Sequence, residues 1–404
     1  MNLQFGAFLA PHHLPGESPT LQLQRDLDLV VQLDRLGFDE FWCGEHHSTG
    51  WETIASPEMF LAGAAMRTSR IRLGTGVVSL PYHHPFNVAQ RMVQLDHMSF
   101  GRAIFGSGPG ALPSDANTLG ADPMVLRDRQ DEAIGVIKRL LAGEERFSYE
   151  SEWFTLREAA LQILPYQSEM PMATASMISP SGMTLAGKHG MGVLSIGSMS
   201  TEGLASLPLQ WSFAEEAAAE HGQVVDRSQW RVMFNFHLAP TRAQAQAEVE
   251  HGLLEWHNDY NVGTLMRPGL KALGTTGEAI DFYSEGAGLI GTPDELIERI
   301  LEMQQVTGGF GVMMGFVNDW ANPEATARSW DLVARHVMPE INRQLAPMRE
   351  SNLYVQEHRD SFTRAGEAIM SKIMNNDRAA EALKSAGGLP SRTPIAPHHA
   401  PSTD

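Results

Sequence analysis

The stretch IRLGTGVVSLPYHHPFNVAQRMVQLDHMSFGRAIFGSGPG, residues 71–110, contains a complete strand–helix–strand unit. Residues 71–80 are largely apolar and predict a buried strand, and Pro85 suits the first turn of the helix that follows. Apolar residues recur along that helix at the spacing of one buried face: Val88, Met92 and Leu95. Residues 103–105 predict the next strand. Two strands joined through a helix are typical of a parallel sheet.

The same alternation extends in both directions from this unit. Eight strands are predicted, and they cover residues 3–10, 38–43, 71–80, 103–105, 171–175, 192–196, 230–239 and 309–316. Because helical patterns separate most of these strands, the sequence predicts an α/β protein, and a closed (β/α)8 TIM barrel is the simplest architecture. An open doubly wound sheet is the alternative.

Three segments depart from the alternation. Residues 111–124 predict a long loop, and residues 147–164 have the character of a hairpin. Residues 258–287 show no clear period and contain several glycines, which makes them a candidate lid over the substrate.

The chain of 404 residues is long enough for a barrel with additions. Residues 1–345 are predicted to form the barrel and residues 346–384 a helical C-terminal extension. Residues 385–404 are rich in proline, serine and histidine and predict a disordered tail.

The composition limits the partners and the compartment. The formal net charge of −18 disfavours binding to nucleic acid or to an anionic membrane surface. Cys43 is the single cysteine, so an internal disulfide is excluded. Neither a signal peptide nor an apolar run of membrane-spanning length is recognisable, and we therefore expect a cytoplasmic protein.

In a barrel, the loops after the strands meet at one mouth, where active sites lie. Glu45, His46 and His47 follow the second predicted strand. Adjacent residues on extended backbone point to opposite sides, so one histidine would face the mouth while the other packs outward. A catalytic or binding role and ordinary loop polarity both remain open from position alone.

Histidine pairs follow each of the first three strands, at residues 12–13, 46–47 and 83–84. Three such pairs would suit a metallohydrolase barrel, which also needs a ligating carboxylate late in the chain. Asp319, beyond the eighth strand, gives weak support. Because zinc motifs on helices place histidines four residues apart and this spacing does not occur, we predict no metal site.

The glycine-rich segment GSGPG follows the fourth strand and begins with Gly106, Ser107 and Gly108. It lacks the spacing of a dinucleotide fingerprint. One interpretation is steric, because residues without side chains would leave room for a flat ring at the barrel mouth. A tight turn is the alternative.

Residues 176–182 lie between the fifth strand and the N-terminus of a helix. The unpaired amides and the dipole of a helix N-terminus favour an anion, and the hydroxyls of Ser176, Ser179 and Ser181 add hydrogen-bonding groups. A phosphate is the predicted ligand. Capping of the helix by Ser179 or Ser181 is the alternative.

Several segments, taken together, resemble the bacterial luciferase-like monooxygenase family. They are FGAFLAPHH at residues 5–13, GFDEFWCGEHH at 37–47, the stretch at 71–110 and ISPSGMTLAGKHG at 178–190. The last segment is most similar to the branch that contains limonene 1,2-monooxygenases and diketocamphane monooxygenases.

The resemblance implies a luciferase-like (β/α)8 barrel that uses reduced flavin supplied by a separate flavin reductase. It favours FMN over FAD as the flavin but does not decide between them. Dioxygen would give a flavin hydroperoxide that oxygenates a small apolar substrate, such as a terpene-like alkene or a ketone. A homodimer is also implied. A deazaflavin-dependent oxidoreductase of the same superfamily and a non-enzymatic flavin-binding protein are the alternatives.

The resemblance also assigns residues. It implies that His46 is catalytic, with Glu45 as a candidate to orient it, and that His84 lies near the flavin. A non-proline cis peptide is implied at Gly76–Val77, and the flavin phosphate is implied at Ser176–Gly182. Apolar side chains would keep water from the flavin: Phe8, Trp42, Met177 and Met313 or Met314. Gly108 and Pro109 stand where luciferase has a cysteine and an arginine that meets the phosphate, which argues against light emission from an aldehyde.

Overall fold

The computed structural model describes residues 2–10, 12–110, 112–267, 269–286 and 288–385 of the chain. The strands within these ranges are β1 (Gln4–Leu9), β2 (Glu40–Cys43), β3 (Arg72–Thr75), β4 (Val78–Ser79), β5 (Ala103–Gly108), β6 (Phe147–Glu150), β7 (Thr155–Ala159), β8 (Met172–Ser176), β9 (Gly192–Ser195), β10 (Trp230–Leu238), β11 (Gly288–Gly291) and β12 (Val312–Val317). Strands β1, β2, β3, β5, β8, β9, β10 and β12 pair in parallel in this order, and β12 pairs again with β1. The predicted closed barrel is confirmed, and the open sheet is wrong.

Helices connect the barrel strands and continue beyond the last one. Within the described ranges they are α1 (Pro19–Leu36), α2 (Pro57–Ala65), α3 (Pro85–Met98), α4 (Pro113–Thr118), α5 (Leu126–Leu141), α6 (Ser181–His189), α7 (Thr201–Glu220), α8 (Arg242–Val249), α9 (Leu253–Glu255), α10 (Thr276–Glu285), α11 (Pro293–Thr307), α12 (Pro323–Leu332), α13 (Met338–Ile341), α14 (Ala346–Glu357), α15 (Arg359–Met374) and α16 (Asp377–Ser385). Two π-helical segments, Trp256–Thr264 and Val333–Val337, follow α9 and α12. The hairpin predicted at 147–164 is confirmed as the antiparallel pair β6–β7.

Side chains of the barrel strands alternate between two cores, as the period of a strand requires. The cluster in the barrel interior includes Phe8, Trp42, Ile104 and Met314. The cluster between the strands and the helices includes Leu9, Phe41, Phe105 and Met313. Met314 is therefore the inward member of its pair, and the prediction of Met313 as a wall of the site is wrong.

Three predicted segments differ from the structure. The strand predicted at 71–80 is divided into β3 and β4 by a cis peptide between Gly76 and Val77, which confirms the bond that the resemblance implied. The predicted loop at 111–124 contains α4, a helix of six residues that is too short to show an apolar period. Residues 258–287 hold the end of a π-helical segment and α10, and the π-helix escapes a search for a period of 3.6 residues.

The chain divides into two compact units, Met1–Asn342 and Arg343–Asp404. The second unit contains α14, α15 and α16 in its described part, with exposed apolar side chains such as Met348, Leu353 and Ile369. The predicted tail lies outside the described residues from 386 onward. Within the described part of the chain, no helix has the length and apolar character needed to cross a membrane.

Candidate active site

His46 lies just after β2, between two carboxylates. Its Nδ1 donates to Asp115 Oδ2 at 2.9 Å, and its Nε2 lies 3.5 Å from Glu52 Oε2. Asp115, on α4, also accepts from the backbone N–H of His47 at 3.0 Å and from the Ser48 hydroxyl. Because a carboxylate only accepts hydrogen bonds, the contact with Asp115 requires a proton on Nδ1 of the imidazole.

The two carboxylates set the charge of His46. Burial lowers the pKa of His46, but the charge of Glu52 and the hydrogen bond that His46 donates to Asp115 outweigh burial, so the pKa lies above its ordinary value. Burial raises the pKa of Asp115, and the hydrogen bonds from His46 and Ser48 reverse that effect, so its pKa lies below the ordinary value. These contacts favour the charged form of each partner, imidazolium and carboxylate, and Nε2 of the imidazole faces Glu52.

Glu45 does not orient His46, contrary to the hypothesis drawn from the sequence. Its Oε1 accepts from the Nε2 atoms of His47 and His83, each at 2.8 Å, and its Oε2 accepts from the backbone N–H of Ser79 at 3.1 Å. Burial opposes ionisation of Glu45, but these hydrogen bonds lower its pKa to about 2. Adjacent residues on extended backbone diverge, which explains why Glu45 and His46 have different partners.

Glu45, His47 and His83 also form a group whose potential ligand atoms lie within 4.8 Å of one another, the one such group found among the described residues. Hydrogen bonds between the carboxylate and the two imidazoles account for their approach. His84 differs from its neighbour His83, because its Nδ1 accepts from the backbone N–H of Phe86 at 3.3 Å and caps α3. A role for His84 beside a cofactor stays a prediction.

The glycine-rich segment is explained by close packing rather than by open space. A Cβ at Gly106 would lie 2.0 Å from the carbonyl oxygen of Thr75, and one at Gly108 would lie 2.4 Å from Cγ2 of Val77. A Cβ at Gly76 would meet the ring of Phe8 at 2.7 Å. The steric interpretation, in which these positions leave room for a flat ring, is therefore wrong, and contact of their backbone with a cofactor stays a prediction.

Ser107 has a structural environment of the same kind. Its side chain is fully buried, and its hydroxyl accepts from Nε2 of Gln130 at 3.3 Å. Nε2 of Gln130 also donates to Oγ1 of Thr174 at 3.1 Å, which ties α5 to β5 and β8.

The start of α6 groups three side chains that suit a phosphate. The hydroxyls of Ser179 and Ser181 lie 2.9 Å apart, and the guanidinium of Arg127, from α5, donates to both of them. Gly182 is required here, because a Cβ would lie 2.4 Å from the carbonyl oxygen of Ala175. Ser176 is buried, and its hydroxyl donates to the carbonyl oxygen of Met177 at 3.4 Å.

The apolar side chains predicted to line the flavin site lie at different depths in the barrel. Phe8 and Met314 belong to the barrel interior, stacked or packed among its aromatic side chains. Trp42 is fully buried, and its Nε1 donates to Glu40 at the N-terminal end of the barrel, so this indole fills the barrel below the mouth. Met177 is 51% exposed, at the loop that precedes α6.

Sequence reasoning did not identify Asp115, Glu52 or Arg127. Two of them are distant in sequence from the group they contact: Asp115 is 69 residues from His46, and Arg127 is 54 residues from Ser181. Glu52 is near His46 in sequence but lies in a loop without a regular period. The one available signal for Arg127 was its place in the first turn of a predicted helix, next to the fifth strand of the barrel. Without the fold, that signal does not distinguish it from other exposed arginines.

Similarity to known proteins shows the family of the chain. The luciferase-like monooxygenase family model matches residues 3–308. Limonene 1,2-monooxygenase of Rhodococcus erythropolis is 45% identical over 381 residues, which are 93% of this chain and 97% of that protein. The 4-hydroxyprotoasukamycin monooxygenase of Streptomyces nodosus subsp. asukaensis is 46% identical over 361 residues, which are 88% and 96% of the two chains. A solved structure is also similar: the oxygenating constituent of 3,6-diketocamphane monooxygenase from Pseudomonas putida. It is a type II Baeyer–Villiger monooxygenase in complex with FMN. The TM-score is 0.72 and the sequence identity is 26%, and the match covers 84% of this chain and 98% of that chain.

Proposed function

The chain belongs to the luciferase-like monooxygenase family and is a flavin-dependent monooxygenase, and we propose that it uses reduced FMN and dioxygen to oxygenate a small, mainly apolar substrate. The family match over residues 3–308 and two monooxygenases at 45% and 46% identity support the assignment. The family resemblance predicted from the sequence is confirmed. The metallohydrolase barrel and the non-enzymatic flavin-binding protein are wrong.

We propose that FMN is bound with its phosphate at the start of α6. The hydroxyls of Ser179 and Ser181, the first amides of α6 and the guanidinium of Arg127 are suited to a phosphate dianion. Arg127 supplies the positive charge that the sequence lacks at Gly108 and Pro109. The FMN complex of the diketocamphane relative supports the choice of cofactor.

We propose that a separate flavin reductase supplies the reduced cofactor. The described fold is accounted for by the barrel and its helical extension, and the diketocamphane relative is itself the oxygenating constituent of its monooxygenase. The homodimer and the cytoplasmic location stay predictions.

Bound reduced flavin supplies the electrons that activate dioxygen. The chain contributes a positioned proton, because His46 is held by Asp115 at Nδ1 and carries its second N–H on Nε2, toward Glu52. An imidazolium at the mouth is suited to general acid catalysis near neutral pH. The aromatic and aliphatic interior below it excludes water, which would otherwise discharge the activated oxygen. The contacts of His46 with Asp115 and Glu52 are the observation that carries the proposed role of His46 as a proton donor.

The phosphate assignment is tested by comparing FMN with riboflavin, which lacks the phosphate. We expect Ser179→Ala/Ser181→Ala and Arg127→Met each to weaken FMN binding about tenfold or more, because charge-assisted hydrogen bonds to the phosphate are lost. Riboflavin affinity should be unchanged in both variants, as measured by fluorescence titration. Arg129→Met, two residues along α5, is the matched control, since Arg129 lies over the ring of Trp153 instead.

Equal weakening of FMN and riboflavin would show that the phosphate assignment is wrong. The wild-type protein, mixed with a flavin reductase, FMN and NADH, should consume dioxygen and transfer one oxygen atom to an alkene or ketone substrate. The mass of the product detects this transfer. A deazaflavin-dependent oxidoreductase would transfer hydride and incorporate no oxygen atom into the product, so incorporation of labelled dioxygen into the product separates that alternative.

A further inference from the structure

Tyr260 is a buried side chain that contacts the His46 site through Glu52. Its hydroxyl donates to Oε1 of Glu52 at 2.6 Å. Burial and the charge of Glu52 raise the pKa of Tyr260 well above its ordinary value, so the phenol keeps its proton and acts as the donor. Glu52 is in turn the carboxylate whose Oε2 lies 3.5 Å from Nε2 of His46. One side chain therefore separates the phenol from the imidazole of the proposed reaction.

The distance between Glu52 and His46 has a chemical consequence. A charge-assisted hydrogen bond from an N–H to a carboxylate spans about 2.7–2.9 Å. At 3.5 Å, Oε2 of Glu52 brings its negative charge to His46 without binding the proton on Nε2. Nδ1 of His46 is bonded to Asp115 at 2.9 Å. If Glu52 turned towards His46, carboxylates would hold both N–H groups of the imidazole and the second proton would be harder to transfer.

The backbone at Glu52 is held independently of Tyr260. The backbone N–H of Glu52 donates to Oγ1 of Thr49 at 3.0 Å. The backbone N–H of His46 donates to the carbonyl oxygen of Ile54 at 3.2 Å, which joins the two ends of the same loop. The hydroxyl of Tyr260 therefore directs the side chain of Glu52 rather than the path of the loop.

Tyr260 reaches Glu52 from a segment with unusual local structure. It lies in the π-helical segment Trp256–Thr264, where the backbone N–H of Leu265 donates to the carbonyl oxygen of Tyr260 at 2.8 Å. Such turns are rare and frequently occur at functional sites. The ring of Tyr260 packs edge-on against His12, with centroids 4.6 Å apart, and lies 5.7 Å from the ring of Trp51. Because neighbouring rings hold its position, the hydroxyl can be removed while the ring stays in place.

We propose that Tyr260 is a positioning residue for the reaction: its hydroxyl holds Glu52 where the carboxylate attracts a proton to His46 but does not bind the N–H at Nε2. Because Tyr260 acts through Glu52, its effect should disappear when residue 52 carries no charge. This inference rests on the proposed function, because it concerns the protonation of the same histidine.

Four titratable groups face His46 and have to be kept constant in a test. They are Asp115 from α4, and Glu45, His47 and Glu52 from the chain after β2. Tyr260 bonds to the last of these. A change of Tyr to Phe at residue 260 alters none of the four side chains, so a change in the protonation of His46 reports on the direction of Glu52.

Tyr260→Phe tests the inference through the titration of His46. The ring remains, and Glu52 is released to bind Nε2 of His46. We expect the pKa of His46 to rise, because a direct hydrogen bond to a carboxylate favours the imidazolium. Nuclear magnetic resonance of the full chain with carbon-13-labelled histidine measures the titration without turnover. The signal of His46 is identified by its absence from His46→Ala.

The rate of oxygenation provides a second measurement of the same variant. With a flavin reductase, FMN and substrate, Tyr260→Phe should react about tenfold more slowly, because the proton is held between two carboxylates. The pH above which the rate falls should move to higher pH, the direction opposite to that expected from the loss of a carboxylate. A group that only supported the fold would lower the rate without this shift.

Tyr283→Phe is the matched control. It removes a buried phenol hydroxyl from the same aromatic cluster, but this hydroxyl bonds to Nδ1 of His257 at 2.8 Å. It should leave the titration of His46 and the pH–rate profile unchanged. Glu52→Gln removes the charge and should lower the pKa of His46. Adding Tyr260→Phe to Glu52→Gln should cause no further shift and less than about a twofold further loss of rate.

An unchanged or lowered pKa of His46 in Tyr260→Phe would overturn the inference. An equal effect of Tyr283→Phe, or an effect of Tyr260→Phe that persists beside Glu52→Gln, would do the same. Any of these results in a chain whose wild type oxygenates a substrate rejects this inference alone. The expected titration shift in a chain that oxygenates no substrate rejects the proposed function instead.

Discussion

The two ends of the barrel treat buried polar groups in opposite ways. At the N-terminal end, Nε and a terminal nitrogen of Arg231 donate to the two oxygens of Glu40 at 2.6 and 2.8 Å, and Trp42 donates to the same carboxylate at 2.8 Å. At the mouth, Oε2 of Glu52 and the indole N–H groups of Trp256 and Trp320 have no hydrogen-bond partner within the described part of the chain, and Nε2 of His46 lies 3.5 Å from Oε2 of Glu52. All of these side chains are buried to a similar degree.

The difference separates a structural site from a binding site. Arg231 and Glu40 have bidentate geometry. Burial raises the pKa of Glu40, but the charge and the hydrogen bonds of Arg231, together with the hydrogen bond from Trp42, outweigh burial, so the pKa of Glu40 lies below its ordinary value. An unpaired buried polar atom instead costs roughly 1–3 kcal/mol. Such a cost is retained in folded proteins mainly at functional sites, where a ligand provides the missing partner. The comparison predicts that changes at the N-terminal end affect stability, whereas changes at the mouth affect binding and catalysis.

The largest effect is expected at the N-terminal end. Arg231→Met should lower the free energy of unfolding by about 3–5 kcal/mol, because Glu40 would remain buried without its counter-charge. Urea unfolding followed by circular dichroism measures this change. Arg335→Met is the control, since the Arg335–Asp331 pair is exposed to solvent and its loss should leave the unfolding transition nearly unchanged.

A second variant keeps this prediction interpretable. Glu40→Gln in the Arg231→Met background removes the uncompensated charge and should recover part of the lost stability. If Arg231→Met is no more destabilising than Arg335→Met, the N-terminal ion pair is not the structural element that the comparison requires.

At the mouth, His46→Ala should reduce oxygenation about a hundredfold, or about 2.7 kcal/mol, because the positioned proton donor is lost. FMN affinity and the midpoint of unfolding should change little, in contrast to Arg231→Met. The rate of product formation with saturating reductase and FMN measures the effect. His251→Ala, at an exposed histidine, is the control, and turnover equal to that control would remove His46 from the reaction.

The sequence predicts some features of the two barrel ends and misses others. The barrel, the cis peptide at Gly76–Val77 and the position of His46 at the mouth followed from local patterns and from a family resemblance. The partners of His46 did not follow, because Asp115 lies on a six-residue helix without an apolar period and Glu52 lies in a loop. Hydrogen bonds between residues far apart in sequence leave no periodic signal.

The same limit applies at the N-terminal end. Glu40 and Arg231 are 191 residues apart, and each occupies a mainly apolar strand, where a charge would normally argue against burial. Proximity in sequence is also a poor guide to contact. Position in the sequence suggests that Glu45 contacts His46, but the extended backbone directs Glu45 to His83, which is 38 residues away.

The smallest of the predicted effects concerns Asp115 and its influence on the protonation of His46. Asp115→Asn keeps the size of the side chain but removes a charge that raises the pKa of His46, so oxygenation should fall about tenfold, or about 1.4 kcal/mol. The pKa of His46 should fall as well, and the alkaline limit of the pH–rate profile should move to lower pH. A group that only supported the fold would lower the rate without moving that limit. Asp281→Asn, at an exposed carboxylate of α10, is the control and should change neither quantity.

The pH dependence of the unfolding free energy tests the His46–Asp115 pair independently of the rate of oxygenation. The raised pKa of His46 means that its stabilising contribution is complete below the unfolded value, near 6.5, and is lost as pH rises through the folded value. The lowered pKa of Asp115 means that its contribution is present above about pH 4 and is lost as pH falls through its folded value. The difference in unfolding free energy between wild type and Asp115→Asn should therefore be largest between about pH 4 and pH 6.5 and should shrink on either side. A difference that stays constant across this range would show that Asp115 positions the loop at His47 and Ser48 without holding a charged imidazole at the mouth.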